Sequence, residues 1–251
     1  MPVSAEANGG PAGILVLIPA YNEEGRIQRV IRDLQSLDRP VEILVVDDGS
    51  TDRTHEQARA MGAVVLRHVF NLGYGAALQT GYIYAKRRGC RLLVQMDADG
   101  QHDADSLEIL VDAIAGGADL VLGSRFRNAT RDPQMGRLRR LGSRLFALIV
   151  TRWTGVKVTD PTSGYQAMSA KAIEWAARDG FPDDYPDADV LILLARSGLN
   201  LVEVPVKMRQ RMGGVSMHRG TRAAFYAYKM FLSLALLGVR RPSPYRAARG
   251  A

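Results

Sequence analysis

Leu92-Leu93-Val94-Gln95-Met96-Asp97-Ala98-Asp99-Gly100-Gln101 joins an apolar run suited to a buried strand to two carboxylates one residue apart. Alternate side chains of an extended chain share a face, so Asp97 and Asp99 are expected to project together from the strand's end. Paired hard oxygens of this kind suit Mg²⁺ or Mn²⁺, which take few carboxylates and leave coordination positions for phosphates. The same tripeptide also serves as an ordinary solvated loop, and it is the preceding strand that argues for a site.

Outward from this stretch, Ile14–Pro19, Val41–Asp47, Val64–His68 and Leu120–Gly123 are further short, β-rich apolar runs. Helical patterns occupy Glu24–Ser36, Asp52–Met61, Gly75–Arg88 and Ser106–Ala115. Strands alternating with helices of this length predict βαβ units and a mostly parallel α/β sheet. Ligands of such sheets bind beyond the carboxyl ends of the strands. Three polar clusters fall there: Pro19-Ala20-Tyr21-Asn22-Glu23, Asp47-Asp48-Gly49-Ser50 and Asp97-Ala98-Asp99. Ser50 to Asp52 read as a turn with a helix cap, which leaves Asp47 and Asp48 to be explained. After Arg125 the alternation is expected to stop.

Asn71-Leu72-Gly73-Tyr74-Gly75 is a glycine-rich entry to a helix, able to bring backbone N–H groups near a phosphate. It is neither a dinucleotide fingerprint nor a Walker loop. The histidines at 55, 68, 102 and 218 lack zinc-ligand spacing. Cys90 is the only cysteine, so no internal disulfide can form and a cytoplasmic setting is expected. Met1 to Gly13 lacks the pattern of a signal peptide and is expected to be a disordered leader.

The net charge of +7 is unevenly placed. All 26 acidic residues precede position 207, and the first 206 residues set 23 basic against 26 acidic side chains. From Lys207 onward there are ten Lys or Arg and no acid. A second acid-free segment holds Arg137, Arg139, Arg140, Arg144, Arg152 and Lys157. Such segregation implies an anionic partner. Arginines and leucines from Leu138 to Val150 recur at helical spacing, as on a helix lying along an anionic membrane surface. Ala223 to Val239 is strongly apolar but contains Lys229 and runs only 17 residues. An interfacial helix is favoured there over a span or a core helix. The basic tail shows no aromatic-plus-basic recognition module, so nucleic acid is not expected as a partner.

Jointly these clusters resemble the family 2 inverting glycosyltransferases, in the branch of dolichol-phosphate mannose synthases and bacterial polyprenyl-phosphate glycosyltransferases. The likeness runs from about Ile14 to Phe231, with the motifs in the family's order. It implies a glycosyltransferase A-type fold, a Rossmann-like mostly parallel sheet flanked by helices, with C-terminal amphipathic interfacial helices. The implied organisation is a leader over 1–13, a catalytic domain over 14–220 and a membrane-surface element over 221–251. By the same resemblance, Pro19, Tyr21, Glu23, Asp47 and Asp48 would hold the nucleoside of a nucleotide sugar, alongside Asp97, Ala98 and Asp99. Asp97, Asp99 and Gln101 match a metal-binding Asp-x-Asp-x-Gln. Arg125 would meet phosphate between donor and acceptor, and Arg139 and Ser143 would engage a lipid phosphate. Asp160 to Tyr165, including Ser163, would lie beneath the acceptor. Arg211, Gly214 and Ser216 match an Arg-x-x-Gly-x-Ser element closing over the diphosphate, although Met217 stands where the family often has Lys. Asp189 falls where the family places a carboxylate at the start of a helix.

The expected activity is metal-dependent, inverting transfer of a hexose from GDP-mannose or UDP-glucose to a polyprenyl or dolichyl phosphate. Mg²⁺ or Mn²⁺ is the expected cofactor. The protein is expected to be peripheral on the cytoplasmic face, held by its own helices or by a membrane-embedded partner protein. The alternatives are transfer to a hydroxyl of a glycan or secondary metabolite, with Asp189 as general base, or a non-catalytic membrane-surface scaffold.

Overall fold

The computed structural model describes residues 13–127, 137–179, 181–182, 188–209 and 232, with the side chains of 137–141 and 143 outside the description. Five strands lie close to their expected places: β1 (Ile14–Ala20), β2 (Val41–Asp47), β3 (Val64–Arg67), β4 (Leu92–Gln95) and β5 (Leu120–Ser124). The expected helices follow as α1 (Arg26–Gln35), α2 (Thr54–Ala60), α3 (Tyr74–Arg87) and α4 (Leu107–Ala115). Beyond them lie α5 (Arg137–Thr154), β6 (Gln166–Ser169), α6 (Ala170–Ala176), α7 (Ala188–Arg196) and β7 (Leu201–Pro205).

The seven strands run in the order β3-β2-β1-β4-β6-β5-β7, all parallel except β6, which is antiparallel to both β4 and β5. β1 passes to β2 on one side and pairs with β4 on the other, which makes the β1–β4 boundary a topological switch point. Because β6 is reversed, the loop entering it lies beside the carboxyl ends of β4 and β5.

The expectation that alternation stops after Arg125 is corrected by β6 and β7, which add two strands to the sheet. Gln166-Ala167-Met168-Ser169 is too short and polar to stand out as a strand. Leu201 to Pro205 carries Glu203 amid its apolar residues and ends on Pro205, which an edge strand tolerates. Both form because sheet neighbours supply their hydrogen bonds.

Alternation along β1 divides the core. Leu15 and Leu17 join Leu44, Val46, Leu93 and Leu122 on the face covered by α3, α5, α6 and α7. Val16 and Ile18 join Ile43, Val45, Val94 and Val121 on the face covered by α1 and α4. Burial on both faces explains why the strands read as unbroken apolar runs. α3 lies close against β1, since a Cβ at Gly81 would sit 2.3 Å from a Leu17 methyl carbon.

α5 buries Phe146 and Val150 and exposes Arg144, Leu145, Leu148 and Arg152. No helix among the described residues is long and apolar enough to cross a membrane. Apart from Leu232, the stretch expected to form an interfacial helix over 223–239 lies outside the described residues, as does the leader up to residue 12.

Candidate active site

β4 ends at Gln95, two residues sooner than the extended-chain argument requires. The Met96 N–H still donates to Leu17 O (3.0 Å), after which the chain turns through Ala98 to Gly100, where φ is +76°. Asp97 and Asp99 are therefore presented by a turn, not by successive pleats of a strand. Hydrogen bonds set their directions instead. The Tyr74 hydroxyl donates to Asp97 Oδ1 (3.0 Å), and Asp99 Oδ1 accepts the Gln101 N–H (3.0 Å). Ala98 between them is buried.

His102 secures this turn from below. Its Nδ1 accepts the Asp97 N–H (3.0 Å), so the ring proton sits on Nε2, 3.7 Å from Asp97 Oδ2. The ring stacks on Tyr165, with centroids 4.8 Å apart and planes within 13°. Burial lowers the His102 pKa against the opposing pull of the Asp97 and Asp99 carboxylates, and the Arg125 charge adds to the lowering. Histidine spacing gave no hint of His102, because its partners are a backbone N–H and a ring from β6's approach.

Arg125 leaves the end of β5 and is gripped by buried Asp160, Nε to Oδ2 at 2.8 Å and Nη2 to Oδ1 at 2.9 Å. Glu203 on β7 holds that partner in turn. Its carboxylate accepts N–H groups from Thr159 (2.7 Å) and Asp160 (2.9 Å) and the Thr159 hydroxyl (2.9 Å). Ser163 is buried, its hydroxyl donating to Gly123 O (2.6 Å). Next to it, Gly164 approaches so closely that an added Cβ would stand 2.7 Å from Asp97 Oδ2.

On the other side of the switch point, Pro19 is buried near the end of β1, Tyr21 is 46% exposed, and Glu23 pairs with Arg26. The loops after β1 and β2 are laced together: Asn22 N–H donates to Ser50 Oγ (3.0 Å) and Glu23 N–H to Thr54 Oγ1 (2.8 Å). Asp47 and Asp48 turn into the protein. Asp47 accepts the Ser50 N–H (3.0 Å) and faces Arg67 Nε at 3.1 Å. Asp48 accepts N–H groups from Leu72 and Gly73, both at 2.9 Å, and lies 2.7 Å from His68 Nδ1. Asp48 thus shapes the glycine-rich loop that leads into Tyr74. That loop rests against Gly49, where φ is +71° and a Cβ would collide with the Phe70 backbone at 2.6 Å.

Asp189 is buried in the first turn of α7 and accepts the Val190 N–H (2.8 Å). Arg139 and Ser143 lie on α5 with side chains outside the described residues, and Arg211, Gly214 and Ser216 lie wholly outside them. Among the described residues no group of three or more His, Cys, Asp or Glu side chains is arranged to hold a metal. Asp97 and Asp99 nevertheless fit a cation shared with a substrate diphosphate, which needs only one or two protein carboxylates. Gly164 has no Cβ to collide with the Asp97 carboxylate, which packs directly against it.

Residues 15–175 match the family model described as glycosyl transferase family 2. The chain belongs to glycosyl transferase family 2. It is a glycosyltransferase similar to a polyprenol monophosphomannose synthase of Mycolicibacterium smegmatis, 32% identical over 86% of this chain and 84% of that one. A UDP-N-acetylglucosamine–dolichyl-phosphate N-acetylglucosaminyltransferase of Methanococcus voltae is 30% identical over 89% of this chain and 95% of its own. The glucosyl-3-phosphoglycerate synthase of Mycobacterium tuberculosis, solved with Mn²⁺ and UDP-glucose, shares the fold. Its TM-score is 0.65 at 24% identity, over 89% of this chain and 78% of that one. Family membership and the sheet order agree with the A-type architecture expected from the motifs.

Proposed function

We propose that this family 2 glycosyltransferase moves a hexose from a nucleotide sugar to a polyprenyl or dolichyl phosphate, with inversion at the anomeric carbon. The observation that carries the reading is the Asp97–Asp99 turn at the β1–β4 switch point, joined to the Arg125–Asp160 pair by the segment from Asp160 to Gly164, which abuts Asp97. Relatives named for polyprenyl and dolichyl phosphate acceptors support the acceptor class.

In this reading Pro19, Tyr21 and Glu23 border the nucleoside, and Asp47 and Asp48 support that pocket from beneath, Asp48 through the loop at Leu72 and Gly73. A divalent cation held by Asp97 and Asp99, with Gln101 beside them, would neutralise charge on the departing nucleoside diphosphate. Arg125, preorganised by Asp160, offers fixed positive charge where donor and acceptor phosphates approach one another. An acceptor phosphate is already anionic at neutral pH and needs positioning more than deprotonation, the task of Arg125, Arg139 and Ser143, with Ser163 supporting the floor. The family resemblance assigns Arg211 to the diphosphate of the donor.

Purified protein, short-chain polyprenyl phosphate and Mn²⁺ should yield a glycosylated lipid with GDP-mannose or UDP-glucose, and product from UDP-N-acetylglucosamine alone would keep the acceptor and overturn the hexose. Chromatographic failure to find lipid product with any donor, alongside transfer to a hydroxyl acceptor, would refute the acceptor assignment.

The outward face of α5, where Leu145 and Leu148 stand between Arg144 and Arg152, supports contact with an anionic membrane surface. Changing Arg139, Arg140 and Arg144 to Gln should weaken sedimentation with anionic vesicles by roughly 10- to 100-fold and flatten its salt dependence. Unchanged sedimentation would leave attachment to the C-terminal segment or to a membrane-embedded partner.

A further inference from the structure

A buried polar chain approaches Asp97 from the sheet, and its direction is forced. Gln95 is 2% exposed at the end of an otherwise apolar strand. Its Nε2 lies 3.2 Å from Gly164 O, a carbonyl that can only accept, so the amide orientation follows. Gln95 Oε1 then faces Tyr82, whose hydroxyl must donate (2.5 Å). Tyr82 is fully buried, and burial pushes its phenol far above the ordinary range, so it remains a donor. The second Gln95 N–H donates to the Tyr74 oxygen (3.1 Å), which leaves the Tyr74 proton for Asp97 Oδ1 (3.0 Å). Each link fixes the next, and the chain ends on a carboxylate. Gly164 supplies both the carbonyl that orients Gln95 and the space that Asp97 occupies.

We infer that Tyr74 and Gln95 are positioning residues that hold the Asp97 carboxylate in its cation-binding orientation, with Gly164 leaving room for the carboxylate to lie there. This rests on the proposed role of Asp97 as a cation ligand. Outer partners of this kind orient a ligand before the cation arrives, and losing one typically weakens metal affinity by about 10- to 100-fold. The Asp48 carboxylate belongs to the same device at one remove, because it fixes Leu72 and Gly73 immediately before Tyr74.

The test is Mn²⁺ titration of the full chain, followed by the electron paramagnetic resonance of free Mn²⁺, with GDP or UDP present. Tyr74→Phe removes one hydroxyl and should weaken Mn²⁺ binding about 10- to 100-fold. Its melting temperature should fall by no more than about 3 °C. Gly164→Ala should do the same by displacing the Asp97 side chain, and it serves if Tyr74→Phe does not fold. Added to Asp97→Asn, neither change should weaken binding further. Wild-type Mn²⁺ affinity in the folded Tyr74→Phe and Gly164→Ala proteins, with Asp97→Asn defective, overturns the positioning role and leaves the cation assignment intact. Wild-type affinity in Asp97→Asn overturns both. Weaker nucleotide binding by Tyr74→Phe in the absence of Mn²⁺ would assign Tyr74 to the nucleotide and also overturn the inference.

Discussion

Asp97→Asn is expected to reduce transfer to polyprenyl phosphate by about 1000-fold or more, while Asp189→Asn leaves it nearly intact. Asparagine keeps the size and the backbone N–H bond to His102 but lacks the charge a divalent cation needs. Because the substitution sits on a one-third-exposed side chain, the fold should persist, and a melting curve close to wild type would separate lost chemistry from lost structure. Asp189 provides the contrast. A phosphate nucleophile has no proton to surrender, so a carboxylate in the first turn of α7 is dispensable as a base. Rates measured with lipid product chromatography decide the matter. Equal collapse in both variants, with donor binding preserved, would show that Asp189 is needed as a base and contradict the phosphate-nucleophile account.

Glu203→Ala is expected to be the most damaging single change to stability, costing about 3–5 kcal/mol. Glu203 is 3% exposed and holds two backbone N–H groups and a hydroxyl at the base of the Asp160 turn. Truncation would take the acceptor from the buried Asp160 N–H and the half-buried Thr159 N–H, each such orphan costing about 1–3 kcal/mol, and would open a cavity in the core. For a chain of this length the loss corresponds to a fall in melting temperature of roughly 10 °C. Glu203→Gln keeps one carbonyl acceptor and should lose roughly a third as much. Thermal denaturation followed by circular dichroism checks both, and an Ala variant melting within about 2 °C of wild type would contradict the account. Activity should fall with it, because the same turn carries the Asp160 grip on Arg125.

Local patterning was enough to place β1 to β5 and α1 to α4, since strands buried on both faces read as apolar runs and the helices between them as periodic ones. It also located the three polar clusters at the carboxyl edge, because strand ends and turn residues are short-range signals. β6 and β7 were illegible for the opposite reason: Gln166 and Glu203 look like surface residues until β4 and β5 pair with the one and the distant Thr159 and Asp160 N–H groups claim the other. The aspartates divide in the same way. Their position after a strand is written locally, yet Asp48 turns inward to hold Leu72 and Gly73, whereas Asp97 is turned by Tyr74, His102 and Gly164 from three separate parts of the chain. Residue order therefore determined where carboxylates gather along the sheet edge. Only the packing of α3 and the reversed β6 against β4 decided which of them faces outward, because a side chain's direction depends on partners that no local window contains.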